Sequence, residues 1–75
     1  MPDLTIDTRG LACPLPILKV RKAMRGVPSG AEVEVLATDP GSEGDLRAFC
    51  AATGNKFLQF RLVADGVLQF VIRKQ

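Results

Sequence analysis

The 75 residues of this chain suffice for a single domain spanning residues 1–75, with a thin core, because a chain of this size buries only about 60% of the surface that its unfolded form exposes. A composition that is 47% hydrophobic and 24% charged favours a globular chain over a disordered one. The net charge of +2 and the absence of Trp and Tyr leave few aromatic platforms for stacking on bases, so direct nucleic-acid binding is not expected. No apolar run approaches the ~20 residues of a membrane span, and no signal peptide is recognisable, which predicts a cytoplasmic protein.

The first elements in chain order are a short strand and a basic amphipathic helix. The alternating run LTID at residues 4–7 predicts the strand, and Gly10 supplies backbone freedom for the turn that follows. The helix is predicted to begin at Pro14, with Cys13 at the N-cap, and to stop at Gly26. Its two sides differ, with apolar Ile17, Val20, Ala23 and Met24 on one and cationic Lys19, Arg21, Lys22 and Arg25 on the other.

A second strand and a second helix come next. The run AEVEVLAT predicts the strand, with Val33, Val35 and Ala37 on one face. The following segment contains helix-start chemistry, and its acidic residues are interpreted as capping and dipole partners: Asp39, Glu43 and Asp45. The helix is predicted to end at Gly54-Asn55, and its apolar side carries Leu46, Phe49, Cys50 and Thr53.

The last twenty residues predict a β-hairpin around an Asp65-Gly66 turn. Strict alternation predicts one fully apolar face, formed by Leu58, Phe60 and Leu62 opposite Leu68, Phe70 and Ile72. The other face is mixed and includes Phe57, Val63, Val67 and Val71, so pairing with a second chain through it stays open.

The element order is therefore β-α-β-α-β-β. A sheet with one apolar face is most simply covered by helices on that side alone. The predicted fold is an α/β (α+β) two-layer sandwich, with a four-stranded mixed sheet and two helices on one face.

Cys13 is the candidate reactive residue, because it lies between the first turn and two prolines where a better capping residue is expected. At a helix N-cap, the dipole and the Leu15 amide would favour the thiolate over the thiol. Pro14 and Pro16 would stiffen the backbone that holds the sulfur. The alternative interpretation is that Cys13 is an inert buried residue and the prolines only start a helix.

The residue types available to Cys13 restrict its chemistry. The chain contains no histidine, which excludes a Cys–His nucleophile pair and the usual Cys/His zinc patterns, and no metal site is predicted. Cys50 lies on the apolar side of the second helix and is interpreted as a core residue. A resolving role for Cys50 would require its Cα atom to lie within roughly 7 Å of that of Cys13.

The stretch DTRGLACPLP resembles the Asp-x-x-Gly-x-x-Cys-Pro-x-Pro motif of the TusA (also called SirA) family of small sulfur carriers, on Asp7, Gly10, Cys13, Pro14 and Pro16. The similarity continues through the basic helix ILKVRKAM, the ATDP turn, the helix GDLRAFCAATGN and the closing hairpin, so it covers essentially the full chain.

The resemblance implies a sulfurtransferase-type carrier that accepts sulfane sulfur as a persulfide on Cys13 and relays it onward, without a cofactor. The implied donor is a cysteine desulfurase or a rhodanese-like protein. The implied acceptor belongs to tRNA thiolation, sulfur oxidation or cofactor supply, and the residues do not specify which. Four residues near Cys13 are candidate docking positions for these partners: Leu15, Lys19, Arg21 and Lys22.

Two alternatives belong to other functional classes. The fold that the resemblance implies also resembles an RNA-binding domain, so the chain could instead be a non-catalytic regulatory domain or an RNA- or protein-interaction domain, and RNA binding would weaken steeply with salt. A thiol-disulfide redox protein is disfavoured, because no partner cysteine lies close to Cys13 in sequence.

Overall fold

The computed structural model describes residues 2–75 of the chain. The elements in chain order are β1 (Leu4–Thr8), α1 (Leu15–Met24), β2 (Glu32–Ala37), α2 (Ser42–Thr53), β3 (Lys56–Leu62), a short 3-10 turn (Ala64–Gly66) and β4 (Leu68–Arg73). This order confirms the predicted β-α-β-α-β-β succession. Within the described residues, no helix has the length and apolar character needed to cross a membrane.

The four strands form one mixed sheet in the order β1-β2-β4-β3. The pairing of β1 with β2 is parallel, whereas β4 runs antiparallel to both β2 and β3. A parallel pair requires a crossover connection, which α1 supplies. The strand residues that face the helices join α1 and α2 in a single core, in which Val20, Val33, Val35, Ala37, Phe70 and Ile72 are completely buried.

The alternation predicted for β2 is confirmed, because Val33, Val35 and Ala37 are buried and the residues between them are half-buried. Helix α2 also follows its prediction, because it ends at Thr53 and Gly54 adopts the left-handed conformation at φ 79°. Leu46, Phe49 and Cys50 are buried as expected. Thr53, predicted on the same side, is exposed, and its hydroxyl donates a hydrogen bond to the Phe49 carbonyl.

Helix α1 begins one residue later than predicted, at Leu15, and its N-cap is Pro14 rather than Cys13. Pro14 has non-helical angles, with φ −97° and ψ 15°. The Leu15 amide donates to the Ala12 carbonyl at 2.9 Å, so a tight turn around Cys13 and Pro14 precedes the helix. Pro16, Val20 and Met24 are buried, and Ile17 and Ala23 pack against the core in part.

A β-bulge between Phe57 and Gln59 overturns the predicted alternation in β3. Phe57 pairs with Ile72 and packs against the core, whereas Leu58, predicted on the apolar face, is 41% exposed. Strict alternation would place Phe57 and Phe60 on opposite faces, but the extra residue lets both rings contact Phe70 from one side. The centroid distances to Phe70 are 6.0 Å for Phe57 and 5.3 Å for Phe60.

The outer face of the sheet, away from the helices, is therefore without Phe57 and is more polar than predicted. Glu34 accepts hydrogen bonds from Thr5, at 2.9 Å, and from Gln69. Glu32 forms an ion pair with Arg73 at 3.1 Å. These cross-strand contacts join three strands of the sheet.

The aromatic cluster generates a stability prediction. Phe70→Ala removes a fully buried ring that two other rings contact, and it should lower the free energy of unfolding by about 3–5 kcal/mol. Leu62→Ala removes an apolar side chain of the same hairpin that is 69% exposed, and it should change stability by less than about 0.5 kcal/mol. Urea unfolding followed by circular dichroism measures both, and equal losses would contradict this description of the core.

Candidate functional site

Two loops meet at the edge of the sheet where the parallel strands β1 and β2 end. Thr8 is fully buried there and donates from its hydroxyl to the Leu36 carbonyl at 2.6 Å. The Gly10 amide donates to the Thr38 hydroxyl at 2.9 Å, across the two loops. Gly10 has φ 82°, a region that favours glycine, so the predicted need for backbone freedom in this turn is confirmed. These bonds hold the loop that carries Cys13 against the loop that carries Asp39.

Asp39 holds the backbone of Cys13 directly. One carboxylate oxygen accepts from the Cys13 amide at 2.5 Å, and the other accepts from the Gly41 amide at 3.2 Å. A single side chain therefore connects the start of α2 to the cysteine loop. The peptide bond between Cys13 and Pro14 is cis.

The Cys13 side chain is exposed, which excludes the interpretation of Cys13 as a buried filler. Its thiol donates a hydrogen bond to a carboxylate oxygen of Asp45, with a sulfur-to-oxygen distance of 3.2 Å. This bond raises the pKa of Cys13 above its ordinary value, and partial desolvation and the negative charges of Asp45 and Asp39 act in the same direction.

The predicted preference for the thiolate is therefore wrong for the chain by itself. The Leu15 amide, expected to donate to the sulfur, bonds to the Ala12 carbonyl instead. The sulfur lies before the N-cap, and its polar partner is an anion. Two carboxylates near a thiol favour the neutral form, because a thiolate there would repel them.

Asp7, the first residue of the motif, organises the other side of the loop. Its carboxylate accepts from the Arg9 amide at 3.0 Å and from the Arg9 guanidinium at 2.9 and 2.8 Å. These bonds lower the pKa of Asp7 from 3.8 to about 2. Lys19 donates to the Asp7 carbonyl at 2.7 Å, so the motif residue ties β1 to α1 rather than contacting the sulfur.

The candidate docking residues share the exposed side of α1 beside Cys13. Leu15 is 51% exposed, and Leu18, one turn further on, is 53% exposed. Lys19, Arg21 and Lys22 are also exposed. Two of these cations have internal contacts, since Lys19 bonds to Asp7 and the Arg21 guanidinium lies 5.8 Å from the centroid of the Phe49 ring.

Cys50 is buried, as predicted, and burial raises the pKa of its thiol. Both cysteines are free thiols. The two residues differ in accessibility, because one lies at the surface and the other within the core.

The sequence interpretation missed Asp39 and Asp45 as site residues and assigned them to helix capping alone. They lie 26 and 32 positions from Cys13, so no local spacing connects them. One sequence signal was available. Loops that follow neighbouring parallel strands meet at the same edge of a sheet, and Asp39 follows β2 as Cys13 follows β1.

The geometry defines a class of protein with one exposed cysteine, presented on a hydrogen-bonded loop beside an apolar and basic surface, and the comparisons name the family. The family model described as Sulfurtransferase TusA matches residues 4–74, and the chain belongs to this family of sulfur carriers.

Similar proteins include the sulfur carrier protein TusA of Allochromatium vinosum, which is 42% identical over 96% of this chain and 93% of its own length. A putative sulfur carrier protein of Neisseria meningitidis is 45% identical, with 97% of each chain covered. Among solved structures, a SirA-like protein from Desulfitobacterium hafniense has a TM-score of 0.82 at 27% identity, covering 93% of this chain and 95% of that one.

The exposure of the two thiols predicts selective alkylation. Iodoacetamide should modify Cys13 in the folded protein and leave Cys50 unmodified, because the Cys50 side chain is in the core. Peptide mass spectrometry locates the label, and unfolding in urea should make both residues reactive. Equal labelling of the two cysteines without denaturant would contradict the structure.

Proposed function

We propose that this sulfur carrier accepts sulfane sulfur as a persulfide on Cys13 and relays it to a cysteine of an acceptor protein. The single observation that supports this assignment most strongly is the exposed Cys13 sulfur at a loop held by Asp39 and Gly10. A carrier has to present its sulfur to two different proteins in turn, which requires an accessible atom on a backbone with few alternative conformations.

The proposed transfer needs no oxidant or reductant. The Cys13 thiolate attacks the outer sulfur of a persulfide on the donor protein, and a new sulfur–sulfur bond forms on Cys13. The bond between the two donor sulfurs breaks, and its electron pair stays on the donor cysteine, which takes up the proton. The same exchange in the next step moves the outer sulfur from Cys13 to the acceptor thiolate and regenerates the Cys13 thiol.

The composition of the chain agrees with this chemistry. A sulfur atom that arrives already activated can be exchanged between thiolates without a histidine base, and this chain has no histidine. By resemblance to the family, the proposed donor is a cysteine desulfurase or a rhodanese-like protein. The proposed acceptors are components of tRNA thiolation, sulfur oxidation or cofactor synthesis. The reducing cytoplasm suits a carrier whose two cysteines are free thiols.

Substitution of the two cysteines tests the carrier site. After incubation with a cysteine desulfurase and cysteine, mass spectrometry should find one added sulfur on Cys13 in the unmodified protein and none at that position in Cys13→Ser. Cys50→Ser should retain sulfur loading, because Cys50 is buried away from solvent.

Sulfur transfer by Cys13→Ser would rule out the proposed role. Salt-sensitive RNA binding that Cys13→Ala leaves unchanged would support the alternative of an interaction domain.

The docking surface is proposed to include the exposed apolar residues Leu15 and Leu18 with the cations Lys19, Arg21 and Lys22. Apolar side chains surrounded by charged ones give a partner both contact area and orientation. The surface begins two residues beyond Cys13, so a protein bound there would place its own cysteine near the sulfur.

A matched pair of substitutions tests the docking surface. Leu15→Gln combined with Leu18→Gln should raise the KM for the donor protein severalfold and leave iodoacetamide labelling of Cys13 unchanged. Leu58→Gln combined with Leu62→Gln makes the same chemical change in the edge strand β3, where both side chains are also exposed, and should leave KM unchanged. An equal effect of the two changes would contradict docking on α1.

A further inference from the structure

We propose that Asp45 is a positioning residue that keeps Cys13 protonated in the unbound carrier, until a cationic side chain of a docked partner pairs with its carboxylate. The inference rests on the proposed function, since it concerns how the sulfur of a carrier becomes reactive only in a complex. It assigns to α2 a role in the chemistry of a residue that precedes α1.

The contact is specific in geometry. The Asp45 carboxylate lies 3.2 Å from the Cys13 sulfur, in the first turn of α2, where its own backbone amide bonds to the Gly41 carbonyl at 3.2 Å. The carboxylate of Asp39 accepts hydrogen bonds from the Cys13 amide at 2.5 Å and from the Gly41 amide at 3.2 Å. One side chain therefore joins the backbone of the cysteine loop to the start of α2, the helix that carries Asp45. The thiol is therefore directed at Asp45 by the fold.

The charged groups around the sulfur leave the effect of Asp45 uncompensated. On α2, Glu43 pairs with Arg47 at 3.0 Å, and on the cysteine loop Arg9 pairs with Asp7 at 2.8 Å. On α1, Lys19 is bonded to the Asp7 carbonyl, and on the loop after β2 the nearby charge is another anion, Asp39. None of the ion pairs among residues 2–75 includes Asp45.

Within residues 2–75 no ion pair offsets the charge of Asp45, and the pKa of Cys13 is raised by the hydrogen bond to Asp45, by partial desolvation and by the negative charges of Asp45 and Asp39. A carrier benefits from this arrangement because the exposed thiol is slow to react with oxidants and alkylating agents while it is alone.

A partner with a lysine or arginine side chain at the edge of its docking surface would reverse the electrostatics. Pairing with the Asp45 carboxylate would remove the acceptor of the thiol hydrogen bond and place a positive charge near the sulfur, which favours the thiolate. The proton lost by Cys13 would go to the donor cysteine sulfur as that sulfur leaves, so the exchange stays balanced.

The test is the pH dependence of iodoacetamide labelling of Cys13 in the isolated protein, which needs no sulfur donor. Asp45→Asn should move the midpoint of the labelling profile to lower pH and increase the rate at pH 7 severalfold, because it removes the anion beside the sulfur. Asp45→Lys, which stands in for the partner cation, should move the midpoint further in the same direction. Asp45→Glu, which keeps the charge, should give a midpoint close to that of the protein without a substitution.

Glu43→Gln is the matched control, because it removes one negative charge from the same helical turn at a side chain that pairs with Arg47. It should leave the profile unchanged, and a shift equal to that of Asp45→Asn would reduce the effect to net charge and overturn the inference. Unchanged profiles for both Asp45→Asn and Asp45→Lys, with circular dichroism showing folded proteins, would also overturn it. Persulfide formation on Cys13 is measured in a separate experiment. The proposed carrier function and the proposed role of Asp45 can therefore be contradicted independently.

Discussion

The parallel pairing of β1 with β2 is the constraint on which the site depends. It brings the ends of the two strands to one edge of the sheet, and the loops that leave them are then close enough to exchange hydrogen bonds. Without that pairing, Asp39 would not lie beside Cys13, and the cysteine loop would lose the hydrogen bond that fixes its backbone. The antiparallel hairpin of β3 and β4 contributes differently, since β4 pairs with β2 and completes the surface on which both helices pack.

The Cys13 sulfur is exposed, but the groups around it do not favour its reactive thiolate form. The Cys13 sulfur is at the surface, where a second protein can reach it. Its thiol, however, donates a hydrogen bond to the carboxylate of Asp45, which favours the protonated form. In an enzyme that acts alone, a nucleophilic cysteine is activated by a base or a cation in its own chain. Here the neighbouring groups act in the opposite direction, which agrees with a protein whose reaction partner is another protein and whose activation can wait for that partner.

Local patterns predicted the order of the elements, but single positions departed from the prediction, among them the start of α1, the faces of β3 and the exposure of Thr53. The start of α1 moved from Pro14 to Leu15 because the Leu15 amide bonds back to Ala12 and forms a turn, which residue preferences for helix ends do not specify. The faces of β3 changed at Leu58 because Phe57 and Phe60 both contact Phe70, and the guanidinium of Arg47 lies 4.2 Å from the centroid of the Phe57 ring. Contacts of β3 with β4 and α2 decided the faces of β3, and alternation along one strand carries no information about them.

The sequence by itself determined the succession of elements, the covered face of β2, the burial of Cys50 and the prominence of Cys13 in its motif, because each follows from residues close together in the chain. The direction in which the pKa of Cys13 is shifted was decided only by the tertiary structure. Its thiol bonds to a carboxylate 32 positions away, and this proximity exists because the sheet edge places the start of α2 beside the loop that precedes α1. A cysteine's pKa depends on the charges within a few ångströms of its sulfur, and those charges come from parts of the chain that only folding brings together.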